Sequence, residues 1–458
     1  MKAAFITVII ITASFTVLSG ETGSDEISDM PVSNTPGGID SSSNSDITFN
    51  ANLYNIEKLS SVNTVLNPGG ILNNYNSYLA GGLSGELMYY LYFRWKTDSL
   101  SYQASDIGYY YVATNNEQLT NLLTENYISW HLGSLFADAG KKKITQSVCF
   151  LTTPMDFALY SYNDISKSKS YNLQFSEGKY MANFDWFSDF GAIGFSYIPE
   201  IDFTSNILEY FSSSQIQQEE LRYTADFGGV DLGLALSYDN IWRAGANITT
   251  TIGDYIELHA EAAYLENDPR FSFVTNMEIT GGNEYGPIYS PLLASTQFFI
   301  SNVCQIIIGG TYNAEVFSLY IEYYYNMDGY DYSDWANIRN VMKNYRADYD
   351  NQPAGPVSVA NLGTLMSMLG NTSYLNICQD YAMVRVTTPP TSSDSLSLGW
   401  TTLLNLEDFS GMEIFSASYG WDHMSLTGQF SFGFGDQYSE FMLLGQNWAL
   451  EIDIVLSI

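Results

Sequence analysis

From Ile47 onward, apolar residues recur at every second position. Ile47, Phe49, Ala51 and Leu53 open the pattern, and Leu87, Tyr89, Leu91, Phe93 and Trp95 repeat it. Val230, Leu232, Leu234, Leu236 and Tyr238 alternate with Asp231, Gly233, Ala235 and Ser237. Ile256, Leu258, Ala260, Ala262 and Tyr264 alternate with Glu257, His259, Glu261 and Ala263. Phe317 to Tyr325, Leu396 to Trp400 and Met424 to Phe434 continue the rhythm. A period of two held over about ten residues gives a strand with one apolar face and one polar or small face. Turn signals at Asp138-Ala139-Gly140, Phe227-Gly228-Gly229, Ile252-Gly253-Asp254 and Trp421-Asp422-His423 separate the rows. Strands joined by such tight turns run antiparallel. The expected fold is an all-β, antiparallel up-and-down barrel of roughly 14 to 18 strands, with about 16 the best count.

Some stretches break the rhythm. Residues 327–375 are not strand-like: Trp335, Ile338, Met342 and Tyr345 have helical spacing, and Val357 to Leu369 reads as a second short helix. Residues 199–219 and 278–297 read as long loops. Short turns alternating with a few long loops are the mark of an outer-membrane barrel. The 327–375 loop is expected to act as a constriction or lid; its alternative place is outside, as a surface contact.

The ends fit the same picture. Lys2 followed by the apolar run Ala3 to Leu18 and the small pair Ser19-Gly20 predicts a secretory signal peptide over 1–20. Residues 21–46 form a Ser-, Asn- and Gly-rich leader too polar to order itself. The barrel is then expected over 47–458. Leu450, Ile452, Ile454, Leu456 and Ile458 make a last alternating strand, and a barrel closes by pairing its last strand with its first.

Composition narrows the class. Lys+Arg number 17 against 50 Asp+Glu, a formal charge of −33, which argues against a nucleic-acid partner. Aromatics at 15% argue against disorder. No repeat of about 40–50 residues suggests a propeller. Trp95, Trp130, Trp186, Trp242 and Trp400 sit at strand ends, where amphipathic rings form interfacial girdles. Three cysteines, Cys149, Cys304 and Cys378, are an odd number, which argues against a disulfide framework and leaves room for at most one bridge.

The signal peptide, the Gly- and Tyr-rich strands and the terminal strand together resemble Gram-negative outer-membrane β-barrel proteins. Many of these end in an aromatic residue, whereas this chain ends in Ile458. Leu132 to Asp156 resembles the substrate-porin and alginate-export type. Gly140-Lys141-Lys142-Lys143 stands for the basic turn of that type and Thr153-Pro154-Met155-Asp156 for its closing element, while Val148-Cys149 replaces a Trp-Gly. The resemblance implies outer-membrane lipid around the barrel and recognition of the last strand by the barrel assembly machinery. Oligomeric state stays open.

No enzyme motif stands out among the familiar hydrolase, metalloprotease or nucleotide signatures. Glu257, His259 and Glu261 share the face opposite Ile256 and Leu258 and should look into the lumen. There they either form a solvated acidic wall or, with a neighbouring strand, bind a metal. Asp328, Asp331 and Asp334 make an acidic loop whose carboxylates suit calcium if any cation binds there; otherwise no cofactor is expected. Lys141-Lys142-Lys143 is the one basic run, read as a solvated turn or a local anion site. His131 and His423 have no nucleophile tied to them. The expected function is passive diffusion of small hydrophilic solutes. Asp231, Glu257, His259, Glu261 and Glu322 would line the lumen, joined by Glu451 and Asp453, and would give cation preference. The alternative is a surface adhesin or structural barrel with a plugged lumen.

Overall fold

The computed structural model describes residues 46–62, 82–113, 116–160, 169–202, 214–272, 277–283, 286–291, 296–351, 377–388, 396–421, 423–444 and 446–457. The expected signal peptide, nearly all of the leader and the 357–369 helix lie outside them. The chain runs β1 (Asp46–Val62), β2 (Gly82–Lys96), β3 (Leu100–Ala113), β4 (Asn116–Leu132), β5 (Leu135–Lys142), the short β6 (Leu159–Tyr160), helix α1 (Lys169–Phe175), β7 (Glu177–Ser188) and β8 (Gly191–Ile198). It continues through β9 (Gln218–Asp226), β10 (Val230–Tyr238), β11 (Trp242–Ile252), β12 (Ile256–Ser272), the hairpin β13 (Met277–Asn283) and β14 (Gly286–Pro291), β15 (Thr296–Asn313) and β16 (Ser318–Asn326). Helix α2 (Tyr332–Asn351), β17 (Asp380–Thr387), β18 (Leu396–Asn405), β19 (Gly411–Trp421), β20 (Met424–Phe434), helix α3 (Glu440–Leu444) and β21 (Gln446–Ser457) complete it.

Eighteen strands form one antiparallel barrel, two more than the best count from the sequence. The pairing of β1 with β21, Leu53 opposite Leu456 and Leu59 opposite Leu450, closes it and removes both edges. Burial follows the alternation. Ile256 and Leu258 are exposed on the outer face, whereas His259, Glu261 and Ala263 are buried inside. This outer apolar and inner polar arrangement is the inverse of a soluble sandwich and suits a barrel in lipid.

The two ends of the barrel differ. Short turns at 97–99, 133–134, 189–190, 227–229, 253–255 and 314–317 share one end. Gly228, Gly229 and Gly253 take positive φ there, which permits the tight reversal. The connections 143–176, 199–217 and 327–379 share the other end. Trp130, Trp186 and Trp421 are exposed near the short-turn end, and Trp242 and Trp448 near the loop end. That places outward aromatics at both rims.

Two readings need correction. Asp138-Ala139-Gly140 is not a turn but lies inside β5; the reversal is at Gly133-Ser134. Residues 278–297 are not a plain loop, because β13 and β14 pair there.

Candidate functional site in the barrel lumen

The described residues of the connection between β5 and β7, 143–160 and 169–176, fold into the lumen. Irregular backbone there carries N–H groups that need partners, since leaving one buried and unpaired costs about 1–3 kcal/mol. Two inward glutamates supply them. Glu322 on β16 accepts the backbone N–H groups of Phe150 at 2.7 Å and Leu151 at 2.6 Å, one on each oxygen. Glu261 on β12 accepts the Ser147 hydroxyl at 2.7 Å, the Val148 N–H at 3.1 Å and the Met155 N–H at 2.9 Å. Asp156 folds the segment on itself by accepting the Gln146 and Ser147 N–H groups at 2.6 and 2.9 Å. Asn247 on β11 donates to the Gln146 carbonyl at 2.5 Å.

Small residues on the wall make room. Ala235, Gly245 and Ala263 stand in one row across β10, β11 and β12. Met155 and Phe157 pack on this row; a Cβ on Gly245 would lie 2.7 Å from Met155 Cγ. Gly309 on β15 sits between His259 and Glu322 in another row, and its missing side chain lets His259 Nε2 reach Glu322 Oε1 at 2.9 Å.

The same connection reaches across to β1. Helix α1 places Phe175 edge-on to the inward Tyr54, with centroids 5.6 Å apart, and Gln174 donates to the Tyr54 hydroxyl at 3.0 Å. Lys143 donates to the Leu173 and Gln174 carbonyls at 3.0 and 2.9 Å, capping the open end of that helix. The basic run is therefore not a solvated turn. Lys141 is buried against Glu177 at 2.6 Å, and Lys142 pairs with Asp138.

A second body fills the wall from β15 to β19. Helix α2 buries Trp335, Ile338 and Met342 along one face. They pack with Ile307, Tyr324, Tyr381, Met383 and Leu403 of the inner wall, with Cys149 and Leu151 of the inward segment, and with Phe441 of α3. Trp335 Nε1 donates to Asp408 at 2.7 Å. The described part of the 327–375 loop thus turns inward, and the helix expected from the spacing of Trp335, Ile338, Met342 and Tyr345 spans Tyr332–Asn351. Glu440 on α3 is fully buried and accepts the Tyr381 hydroxyl at 2.8 and 3.0 Å. Burial pushes its carboxyl up to about 8, and the nearby Asp408 charge adds to the rise.

The wall from β4 to β10 is polar. Ser129, Asp138, Asn183, Ser196, Glu220 and Ser237 form one row across the strands. Asn183 donates to Asp138 at 2.9 Å and accepts the Ser196 hydroxyl at 2.9 Å. Arg222 bonds Ser196 at 2.6 Å and Asn183 at 2.5 Å, and pairs with Asp185 at 3.0 Å and Glu220 at 3.2 Å.

The lumen candidates behave unequally. Glu257, His259, Glu261 and Glu322 do share the inner face, but Glu261 and Glu322 are buried under the inward segment. Glu257 keeps 43% of its side chain exposed. Asp231 is exposed at the short-turn end, and Asp453 is buried. Glu451 pairs with Lys58 at 3.8 Å. In the acidic loop, Asp331 accepts the Asp334 N–H at 2.8 Å and the Ser333 hydroxyl at 2.8 Å. It acts as the N-cap of α2, and those bonds hold its carboxyl below the usual range. Asp328, Asp331 and Asp334 do not draw their carboxylates together. Among the described residues, the group that brings potential metal ligands within 4.8 Å of one another is Cys149, His259 and Glu322.

Crystal structures of other proteins share this fold. Pseudomonas aeruginosa OccK2 (OpdF) matches over 90% of this chain and 98% of its own, at TM-score 0.52 and 9% identity. The fold is that of a porin barrel. A BenF-like porin from Pseudomonas fluorescens Pf-5 matches at TM-score 0.50 and 11% identity, over 90% and 99% of the two chains. OccK2 has also been crystallised with glucuronate, and that structure matches at TM-score 0.50 and 9% identity, over 90% and 96%. Neither a family model nor a curated protein matches the sequence. At these identities the likeness to porins lies in the backbone path.

Sequence reasoning placed the constriction in 327–375 and missed the gripping of 146–155. The usable signal was the run of Gly and Ala on the inner face of β10 to β15. Part of that small-residue face seats the folded segment.

Proposed function

We propose that this chain is an outer-membrane porin, a channel for passive diffusion of small hydrophilic solutes and not an enzyme. The observation that carries the reading is the segment 146–155 held inside a closed eighteen-strand barrel by Glu261 and Glu322. A barrel of about 16–18 strands encloses an aqueous lumen, and an inward loop narrows it to a selective passage. The passage runs beside the polar wall of β4 to β10, where Asp185 and Lys142 keep 23% and 22% of their side chains exposed, while Asn183, Ser196 and Glu220 are buried in the wall. Glucuronate in the OccK2 structure is a solute of that general kind.

Cation preference is the finer part of the proposal. Several described inward cations are paired, Arg222 with Asp185 and Glu220, Arg243 with Asp239, and Lys142 with Asp138, while Arg385 lies over the Phe150 ring and Arg94 is exposed. Glu257 and Asp231 remain exposed. Exposed carboxylates in the lumen concentrate cations. The inward course of α2 and of the β5–β7 connection favours this reading over the adhesin, whose long loops would stand outside.

The test is conductance of the refolded protein in planar lipid bilayers under a salt gradient. Stable steps with a cation-selective reversal potential are expected. A folded barrel without steps would remove the channel reading.

A further inference from the structure

Cys149, His259 and Glu322 come from three separate parts of the chain: the inward segment, β12 and β16. All three are buried, and one ligand atom of each lies within 4.8 Å of the other two. A tetrahedral ion with bonds of about 2.0–2.3 Å spaces its ligands by about 3.3–3.8 Å, so small side-chain adjustments suffice. Thiolate, imidazole and carboxylate together make a donor set for zinc and its neighbours, not for calcium or magnesium.

Two further observations point the same way. His259 Nδ1 is buried and has no hydrogen-bond partner, and Glu257 Oε1 stands 3.9 Å from it. A metal-bound imidazole usually gives its second nitrogen to such a carboxylate. Gly309 also leaves open the space between His259 and Glu322. A Cβ there would lie 2.7 Å from His259 Nε2 and 2.6 Å from Glu322 Cγ.

We infer that Cys149, His259 and Glu322 form a binding site for a zinc-class divalent cation that clips the inward segment to the barrel wall. Glu322 keeps its two backbone donors, because each carboxylate oxygen has a second lone pair. Binding converts the Cys149 thiol to a metal thiolate and releases its proton to solvent, so affinity rises with pH. His259 binds in its neutral form, with its second N–H turned to Glu257. The fourth position is left to water or to a passing solute. The site does not depend on the channel reading, since it concerns how the segment is fastened.

The test uses the full refolded chain, stripped with a chelator and titrated with Zn2+ and then Co2+. One equivalent should bind, with one proton released, and Co2+ should give a thiolate-to-cobalt charge-transfer band. Cys149→Ser should abolish the band and weaken binding at least about 100-fold, while Cys304→Ser leaves both unchanged. Glu257→Gln should weaken binding about 10-fold. If Cys149→Ser does not fold, His259→Gln serves in its place and should show the same loss of affinity. No charge-transfer band in the wild-type protein would overturn the site. So would Zn2+ affinity unchanged in Cys149→Ser, which would locate binding on exposed carboxylates.

Discussion

The two inner walls of this barrel begin from the same sequence rule and end as different materials. Along β4 to β10, inward positions carry Asp138, Asn183, Ser196, Glu220 and Arg222, joined sideways by hydrogen bonds. Along β15 to β19, inward positions carry Ile307, Tyr324, Tyr381, Met383 and Leu403, covered by α2, α3 and the inward segment. The outer faces of both are alike: Phe184 and Trp186 on one, Ile321 and Trp400 on the other, all exposed. The difference teaches that alternation in a barrel fixes which face meets the outside. The identity of the inner face fixes whether a strand carries a hydrogen-bonded polar layer or an apolar core. Between the two walls stands β12, whose Glu261 holds the segment that divides them.

Removing the anchor of the apolar wall should have the largest effect. Trp335→Ala empties a fully buried site, and about 3–5 kcal/mol of the docking of α2 should be lost. Limited proteolysis should then cleave within 332–351 in the variant and not in the wild type. The next largest is Glu261→Ala, which leaves the Val148 and Met155 N–H groups and the Ser147 hydroxyl without their acceptor. About 2–4 kcal/mol of anchoring should go, and the single-channel step should grow. Gly309→Ala forces a Cβ against Glu322 and His259 and should cost about 1–3 kcal/mol, read as a lower midpoint in heat-modifiability gels.

Arg222→Ala sharpens the comparison from the polar side. It leaves Asp185 and Glu220 without their guanidinium, so the reversal potential should move further toward cations while the step size changes little. A shift toward anions would refute the role given to that wall.

A further effect is a slope with pH. Glu440 holds its proton up to about 8 in the fold because it is buried, whereas an unfolded Glu releases it near about 4.3. The folded chain binds more protons between those values, so the stabilisation from this group is full below the lower one and is lost as pH rises through the upper one. The heat-modifiability midpoint should fall from pH 6 to pH 9, and Glu440→Gln should flatten that fall.

The barrel itself was legible because period two survives any sequence change that keeps the outer face apolar. Val230 to Tyr238 and Ile256 to Tyr264 showed their inner and outer faces correctly. Strand number was less legible, because short strands such as β8 (Gly191–Ile198) carry too few alternations to stand out. The turn at Gly133-Ser134 was mistaken for Asp138-Ala139-Gly140 because Gly140 itself takes positive φ within a strand. Helix α2 was readable from Trp335, Ile338 and Met342. The grip on 146–155 was not, because Glu261 and Glu322 are far from it in sequence and a lone luminal acid looks the same whether it faces water or a backbone amide.

The central claim is that the segment 146–155, pinned by Glu261 and Glu322, sets the aperture of the channel. The most direct measurement is single-channel conductance of the wild-type barrel against the Glu261→Gln, Glu322→Gln double variant, at equal salt. The account predicts discrete steps in the wild type and distinctly larger, noisier steps in the variant. Equal steps in two folded barrels would contradict it.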